Sequence, residues 1–458
     1  MIVLKFGGTS VADLAAIDRA VSIVRSRLAR GPVVVVSALA GTTNVLLKAA
    51  HDAARGDRET ARGALAALRD RHLAIIEALV RRDPTADEAG WAVEHMCGTL
   101  AGLTEALAIL GHVTPRSLDA VAAYGELLSA RVVTAALRVA GIHAEPVDAR
   151  KIIMTDDRFT RAMPLPDAIA DAAGDTLRPP VEAGRVPVLG GFIGATVDGV
   201  TTTLGRGGSD LSAALIGAAL DAEAIEIWTD VDGMLTVDPK IDPCARTIDH
   251  IRFDEAAELA AFGARVLHPA TIAPAMRKGI PVRVLNSFRP QARGTRISAA
   301  APVLPVRAIA GRDNVTVIKV HSSAMLMAHG FLRTLFAVFE RHGTSVDVVA
   351  TSEVSVSVTV DALAPVESIA ADLASLGEVT VERERAVIAV VGAGLGGDST
   401  IMARALDALA GVRVYMISVS ASEINLTFVV DAERLRPAMS ALHATFFGGL
   451  PPGAAAAA

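Results

Sequence analysis

A run of four valines near the amino end, Val33-Val34-Val35-Val36, within a strand predicted over 33–37, restricts the fold more than any other stretch of the chain. An unbroken run of β-branched residues, with no polar alternation, suits a strand buried on both faces, as in parallel sheets covered by helices on each side. The neighbouring segments agree with that reading. Residues 2–6 predict a strand, Gly7-Gly8 a turn, and 11–28 carries helical spacing. From 43 to about 80 the chain is rich in Ala and Leu and predicts helix, with a polar break at Gly56-Asp57. Residues 124–140 predict a helix ended by Gly141, followed by a strand over 187–192, a helix over 210–220 and a strand over 224–229. Such alternation predicts an α/β sandwich with a mostly parallel sheet.

The pattern changes near Asn286. Residues 287–305 are rich in Pro, Gly, Arg and Ala and read as a linker. Beyond it a βαββα order occurs twice. The first copy has a strand over 315–320, a helix over 330–342, strands over 345–350 and 354–361, and a helix over 366–376. The second has a strand over 385–391, a helix over 399–410, strands over 412–419 and 424–431, and a helix over 435–445. The turn Thr351-Ser352-Glu353-Val354-Ser355 aligns with Ser420-Ala421-Ser422-Glu423-Ile424. That match argues for duplication and for two ferredoxin-like modules.

A length of 458 residues leaves room for two to four domains. The net charge of −6 gives no general attraction to nucleic acid, and 3% aromatics leaves few stacking platforms for single strands. Two cysteines, Cys97 and Cys244, exclude a disulfide scaffold and a cysteine-based zinc site. Mean hydropathy is +0.43, but no uncharged apolar run reaches the roughly 18–20 residues of a membrane helix. The start, Ile2-Val3-Leu4-Lys5, lacks a signal-peptide pattern, so the cytoplasm is the expected compartment.

Two glycine-rich turns open helices. Lys5-Phe6-Gly7-Gly8-Thr9-Ser10 joins a strand to a helix start, with Asp13 three residues after Ser10 as in a capping box. Glycines let backbone N–H groups approach an anion, the helix start favours negative charge, and Lys5 can reach the same anion. Taken alone, this is equally a tight βα turn, and its lysine precedes the glycines, unlike a Walker loop. Leu204-Gly205-Arg206-Gly207-Gly208-Ser209-Asp210 opens the second helix. Arg206 suits carboxylate or phosphate recognition, and Asp210 either caps its helix or orients a lysine or a metal. Trp228-Thr229-Asp230-Val231-Asp232-Gly233, followed by Asp238-Pro239-Lys240, fits nucleotide contacts at the carboxyl edge of a parallel sheet, though Asp-Gly is also a common turn. Val391-Gly392-Ala393-Gly394-Leu395-Gly396-Gly397 matches G-x-G-x-x-G. A dinucleotide site needs an acid about 20 residues on, where 417–419 has none. A turn in a small regulatory module is preferred.

In that order, together with Ser37-Ala38-Leu39-Ala40-Gly41-Thr42-Thr43-Asn44, Gly125-Glu126, Gly190-Gly191-Phe192-Ile193-Gly194 and Phe262-Gly263-Ala264-Arg265-Val266-Leu267-His268-Pro269, these motifs resemble the aspartokinases over nearly the whole chain. The resemblance implies a three-layer αβα amino-acid-kinase fold followed by two ferredoxin-like βαββαβ ACT modules. The implied division is a catalytic domain over 1–288, a linker with the first regulatory strand over 289–310, ACT modules over 311–384 and 385–449, and a disordered tail over 450–458. The chain stops after the second module, so no fused homoserine dehydrogenase is expected.

The implied activity is transfer of the ATP γ-phosphoryl group, with Mg2+, to the β-carboxylate of aspartate. An Asp carboxylate with an ordinary pKa near 3.9 is already ionised at neutral pH, so no general base is required. By resemblance Lys5, Gly7, Gly8, Thr9 and Ser10 meet phosphates. Arg206 holds the substrate α-carboxylate and Glu126 its ammonium. Ser37, Thr43, Phe192 and Ser209 line the substrate site, and Asp210 organises Lys5 or the substrate amine. Thr229, Asp230, Leu235, Asp238, Lys240 and Arg265 meet the nucleotide. Leu235, Lys240 and Arg265 stand where relatives often carry Tyr, Arg and Lys. No residue is singled out as a metal ligand, and His268 reads as a structural cap.

Met325, Ala328, Gly330, Phe331, Leu332, Asp347, Thr351, Ser352 and Glu353 resemble an effector segment, with Ala328 in place of a frequent Ser. This implies feedback by lysine, with threonine second, and a dimer or larger assembly through the ACT modules. Two other readings are another amino-acid-kinase relative, acting on glutamate or a nucleotide, and an inactive amino-acid-binding regulator.

Overall fold

The structure is a computed structural model and describes residues 1–263, 269–326 and 328–448. Arg265, His268 and the 450–458 tail named above lie outside the described residues. The chain forms two compact units, one of residues 1–234 and 266–301, the other of 235–265 and 302 onward. The block expected as one catalytic domain is therefore divided, because 235–265 clusters with the regulatory part.

The first unit is built on a sheet whose strands run in the order Ala144–Val147, Val186–Gly190, Pro32–Val36, Ile2–Phe6, Ala224–Thr229, Val282–Asn286 and Thr295–Ile297. All neighbours are parallel except the last pair. The valines are covered on both sides: Val33, Val34, Val35 and Val36 are all 0% exposed. Ile2, Leu4, Phe6, Val34 and Val36 share a core with Ile17, Leu46, Leu128 and Val132 from helices Leu14–Arg25, Thr42–Ala54 and Tyr124–Val139. The alternate face meets helix Gly208–Ala219, where a Cβ on Gly217 would lie 2.6 Å from Ile225. Residues 287–305, read as a linker, contain the strand Thr295–Ile297, too short to show a periodicity. The helical stretch Pro115–Val139 is long and apolar enough to cross a membrane, but 78% of its most apolar window is buried inside the fold, as in a core helix.

The second unit carries one six-stranded antiparallel sheet in the order Val346–Thr351, Ser355–Asp361, Ala308–His321, Glu378–Val391, Asn425–Asp431 and Val414–Val419. Two strands expected as six or seven residues are 14 residues long. Each serves both modules, and the bend comes at Asn314 (φ 58°) and Glu384 (φ 56°). Ile318 and Val320 join the core of the first module with Leu335, Phe339 and Ile369. Ile309, earlier on the same strand, joins that of the second with Ile388, Phe428 and Leu442. The second module thus takes its fourth strand from residues that precede the first.

Within this unit His443, 2% exposed on the last helix, Leu435–Phe447, lies between Thr236 Oγ1 and Asp242 Oδ2, each 2.9 Å from a ring nitrogen. Burial pushes its pKa down and the Asp242 carboxylate pulls it back up.

Candidate active site

Strand Ile2–Phe6 delivers Lys5 to the carboxyl edge of the sheet, where helix Gly208–Ala219 begins. Lys5 Nζ lies 2.6 Å from Asp210 Oδ1, with side chains 10% and 14% exposed. A pair this far from water is strong but costly to break, since removing one partner strands the other charge. The two glycine-rich turns are therefore joined by the ion pair that Lys5 and Asp210 form.

A cleft of about 400 Å3 opens beside this pair. Lys5, Gly8, Ser37, Thr43, Glu126, Phe192, Ser209 and Asp210 line it. Three close approaches shape its floor. A Cβ on Gly8 would lie 2.8 Å from the Ala38 carbonyl, one on Gly191 2.8 Å from Ser209 Cα, and one on Gly208 2.6 Å from the Phe192 ring. Phe192 itself is left-handed, at φ 65°, with its N–H donated to Ser212 Oγ at 2.9 Å. A cavity of about 460 Å3 between helices Thr42–Ala54, Arg58–Val80 and Asp87–Leu110 is larger. Its walls mix Ala and Leu65 with charged side chains, and its arginines are already paired, Arg58 and Arg62 with Glu105 at 3.0 and 3.2 Å and Arg69 with Asp70 at 2.7 Å.

Glu126 is 3% exposed in the first turn of helix Tyr124–Val139. One carboxylate oxygen accepts the Ala38 N–H at 3.2 Å, and the other has no hydrogen-bond partner among the described residues. Burial pushes its pKa up to about 8. An acid with one oxygen unmet beside an open cleft suits a cationic group of a ligand.

Arg206 is exposed on the turn between Gly205 and Gly207, which line the cleft, but Arg206 is not among the lining residues. Nor does it have an ion-pair partner among the described residues. Two phosphate expectations are corrected. The Gly7 N–H is engaged by the Trp228 carbonyl at 2.9 Å. Ser10 is 0% exposed, and its hydroxyl lies 3.2 Å from that same carbonyl and 2.8 Å from Ser287 Oγ. The capping box is also absent, because Gly8–Val11 forms a 3-10 turn and Asp13 itself caps helix Leu14–Arg25 by accepting the Ala16 N–H at 2.8 Å. Thr9 is exposed.

Thr229 ends strand Ala224–Thr229, with its hydroxyl 3.2 Å from Asp230 Oδ1. Neither lines the cleft. Leu235, Asp238 and Lys240 belong to the second compact unit, where Asp238 accepts the Lys240 N–H at 2.8 Å. Arg265 is outside the described residues.

In the first module Gly330, at φ 84°, precedes helix Phe331–Arg341. Met325 and Phe331 pack on that module's core, while Leu332 is 40% exposed. The Ala328 N–H donates to the Met325 carbonyl at 3.2 Å. The Ser322 N–H donates to the Val354 carbonyl at 2.8 Å, which brings the Met325 turn beside Thr351, Ser352 and Glu353, all exposed. Asp347 is ion-paired with Arg312.

One buried carboxylate in the first unit went unnoticed in the sequence. Asp119 is 1% exposed and accepts from Thr203 and Thr160. Its setting, Ser117-Leu118-Asp119 after Thr114-Pro115, looks like that of any acid on a short helix, and its partners are distant in sequence.

The amino acid kinase family model matches residues 1–286, and an ACT domain model matches 388–446. The lysine-sensitive aspartokinase 3 of Escherichia coli K12 is 39% identical over 98% of this chain and 99% of its own length. The chloroplastic aspartokinase 3 of Arabidopsis thaliana is 37% identical over 97% of this chain and 81% of its own. The crystal structure of E. coli aspartokinase III in complex with aspartate and ADP, in the R-state, superposes with a TM-score of 0.84, covering 98% of this chain and 100% of that one. The lysine and aspartate complex, in the T-state, covers 98% and 99% with a TM-score of 0.80. A kinase-family match over more than half the length, joined to full-length likeness at 39% identity, places this chain in the amino acid kinase family, among the aspartokinases.

Proposed function

We propose that this chain transfers the γ-phosphoryl group of ATP to the β-carboxylate of L-aspartate. The observation that carries the reading is the buried Lys5–Asp210 pair in a cleft shared with Ser37, Thr43, Glu126 and Ser209. A relative solved with aspartate and ADP supports it.

The substrate carboxylate is ionised at neutral pH and attacks the γ-phosphorus directly. A carboxylate O–P bond forms, the bridging P–O bond breaks, and ADP leaves with that electron pair. Nothing has to take a proton, so the protein's work is positioning and charge neutralisation. Lys5 draws charge from the transferring group, and Asp210 holds the Lys5 ammonium at the cleft wall. Gly8 allows close backbone approach, and the start of helix Gly208–Ala219 favours negative charge. Glu126 takes the substrate ammonium, Arg206 its α-carboxylate, and Ser37, Thr43, Phe192 and Ser209 shape the space around it. Thr9, Thr229 and Asp230 are assigned to the nucleotide.

Magnesium usually arrives with the phosphates and takes one or two protein carboxylates. Asp210 is the acid in the cleft that such an ion would meet, and the ion supplies charge neutralisation on the transferring group.

The domain assignment is a catalytic region over 1–288, a linker and strand over 289–310, and ACT modules over 311–384 and 385–449. The first module is assigned as an effector site, with lysine as effector. Its support is the adjacency of the Met325 and Ser352 turns and the T-state relative solved with lysine. Exposed Val349, Ile417 and Val419 on the edge strands support pairing of copies. A cytoplasmic location completes the reading.

A coupled ATP assay with aspartate, glutamate and UMP tests the activity. Turnover is expected with aspartate alone, and Lys5→Ala is expected to lower it at least 100-fold with the fold intact by circular dichroism. Near-normal turnover in that variant removes Lys5 from the mechanism. Millimolar lysine is expected to inhibit, and no change in activity or melting temperature rules out the lysine assignment.

A further inference from the structure

The Asp119 carboxylate is unused in the mechanism above, yet three donors converge on it. The Thr203 N–H lies at 3.0 Å, the Thr203 hydroxyl at 2.6 Å and the Thr160 N–H at 2.8 Å. Thr160 reaches it from a left-handed backbone at φ 70°, which a β-branched residue rarely adopts. The same bend sets the Thr160 carbonyl 3.2 Å from where a Cβ on Gly205 would stand. The Ala162 N–H closes the arrangement by donating to the Thr203 carbonyl at 2.9 Å.

Thr203 is the last residue of strand Thr201–Thr203, and the chain runs from it through Leu204 into Gly205. One buried acid on helix Pro115–Ala122 thereby ties down both the root of the turn bearing Arg206 and the loop that abuts it. Two carboxylate oxygens can accept from three donors, with the charge to strengthen each bond. A neutral amide keeps one accepting oxygen and must turn its NH2 either toward the Thr203 hydroxyl or toward the two N–H groups.

We propose that Asp119 is a positioning residue for the aspartate side of the cleft: it fixes the start of the segment that presents Arg206, Ser209 and Asp210. The inference rests on the reading of this cleft as an aspartate kinase site. It predicts that loss of the Asp119 anchor loosens aspartate binding while leaving the nucleotide in place.

The test is steady-state kinetics on the full chain, with KM for aspartate and for ATP measured separately and a melting curve for each variant. Asp119→Asn is expected to raise the aspartate KM at least 10-fold, with the ATP KM within twofold of the parent. Thr203→Val is expected to act in the same direction more weakly, and Thr203→Ser, which keeps the hydroxyl, to stay within twofold. The proposal is overturned if Asp119→Asn and Thr203→Val both leave the aspartate KM within twofold. A parallel rise in both KM values is equally fatal to it. Should Asp119→Asn not fold, the Thr203→Val and Thr203→Ser pair decides alone. Arg206→Ala checks the underlying reading separately: an unchanged aspartate KM there removes the aspartate site itself, whatever the Asp119 result.

Discussion

Glu126 is an acid kept in its neutral form by the interior. Its folded pKa of about 8 stands above the ordinary 4.5, with burial as the leading cause. For an acid raised in this way the stabilising contribution is full below pH 4.5 and is lost as pH climbs toward 8, because the unfolded chain ionises first. Glu126→Gln is therefore expected to be more stable than the parent at pH 7, by about 2–3 kcal/mol, in denaturant titrations. The same variant is expected to raise the aspartate KM at least 10-fold, because a neutral amide holds an ammonium poorly. A second consequence belongs to the parent enzyme. To meet an ammonium Glu126 must release its proton, so the aspartate KM is expected to fall as pH rises from 6.5 to 8, by up to about tenfold per unit. A flat profile would separate Glu126 from the amine.

At the scale of elements, the start of helix Gly208–Ala219 is set by missing side chains. A methyl on Gly191 would press on Ser209 Cα and Cβ, both at 2.8 Å, and on Val35 at 3.0 Å. Gly191→Ala is expected to cost about 1–3 kcal/mol and to lower turnover at least 10-fold, since the backbone it displaces bears Ser209 and Asp210. A stability loss with full activity would show that the helix start tolerates movement. Long, periodic or punctuated elements were legible in the sequence. The valine strand, the helix ended by Gly141 and the paired βαββα order all appear in the structure. The short strand Thr295–Ile297 was not, because three residues cannot display a period. Lys5 and Asp210 were legible because each flanks a glycine-rich turn. Asp119 was not, because its hydrogen bonds to Thr203 span 84 positions and leave no local trace. Ser10 misled because a helix-start serine looks the same whether its hydroxyl faces a ligand or the Trp228 carbonyl.

For the whole molecule, order along the chain and membership of a unit diverge. Residues 235–265 fall within the kinase family match yet cluster with the second unit, where His443 bonds to Thr236 and Asp242. Ile309, 2% exposed, lies before the first regulatory module but is packed in the core of the second. Ile309→Ala is expected to cost about 2–4 kcal/mol and to weaken hydrogen-exchange protection in helix Ser399–Ala408 while sparing helix Phe331–Arg341. Equal loss in both helices would mean that the two cores melt as one. The shared strand also has a bearing on synthesis and inheritance. The nascent chain lays down 308–312 early, and that piece waits for its partner Glu378–Val391 until the whole first module has emerged. A gene crossover at any one point between the modules would hand the recipient a second module without its fourth strand.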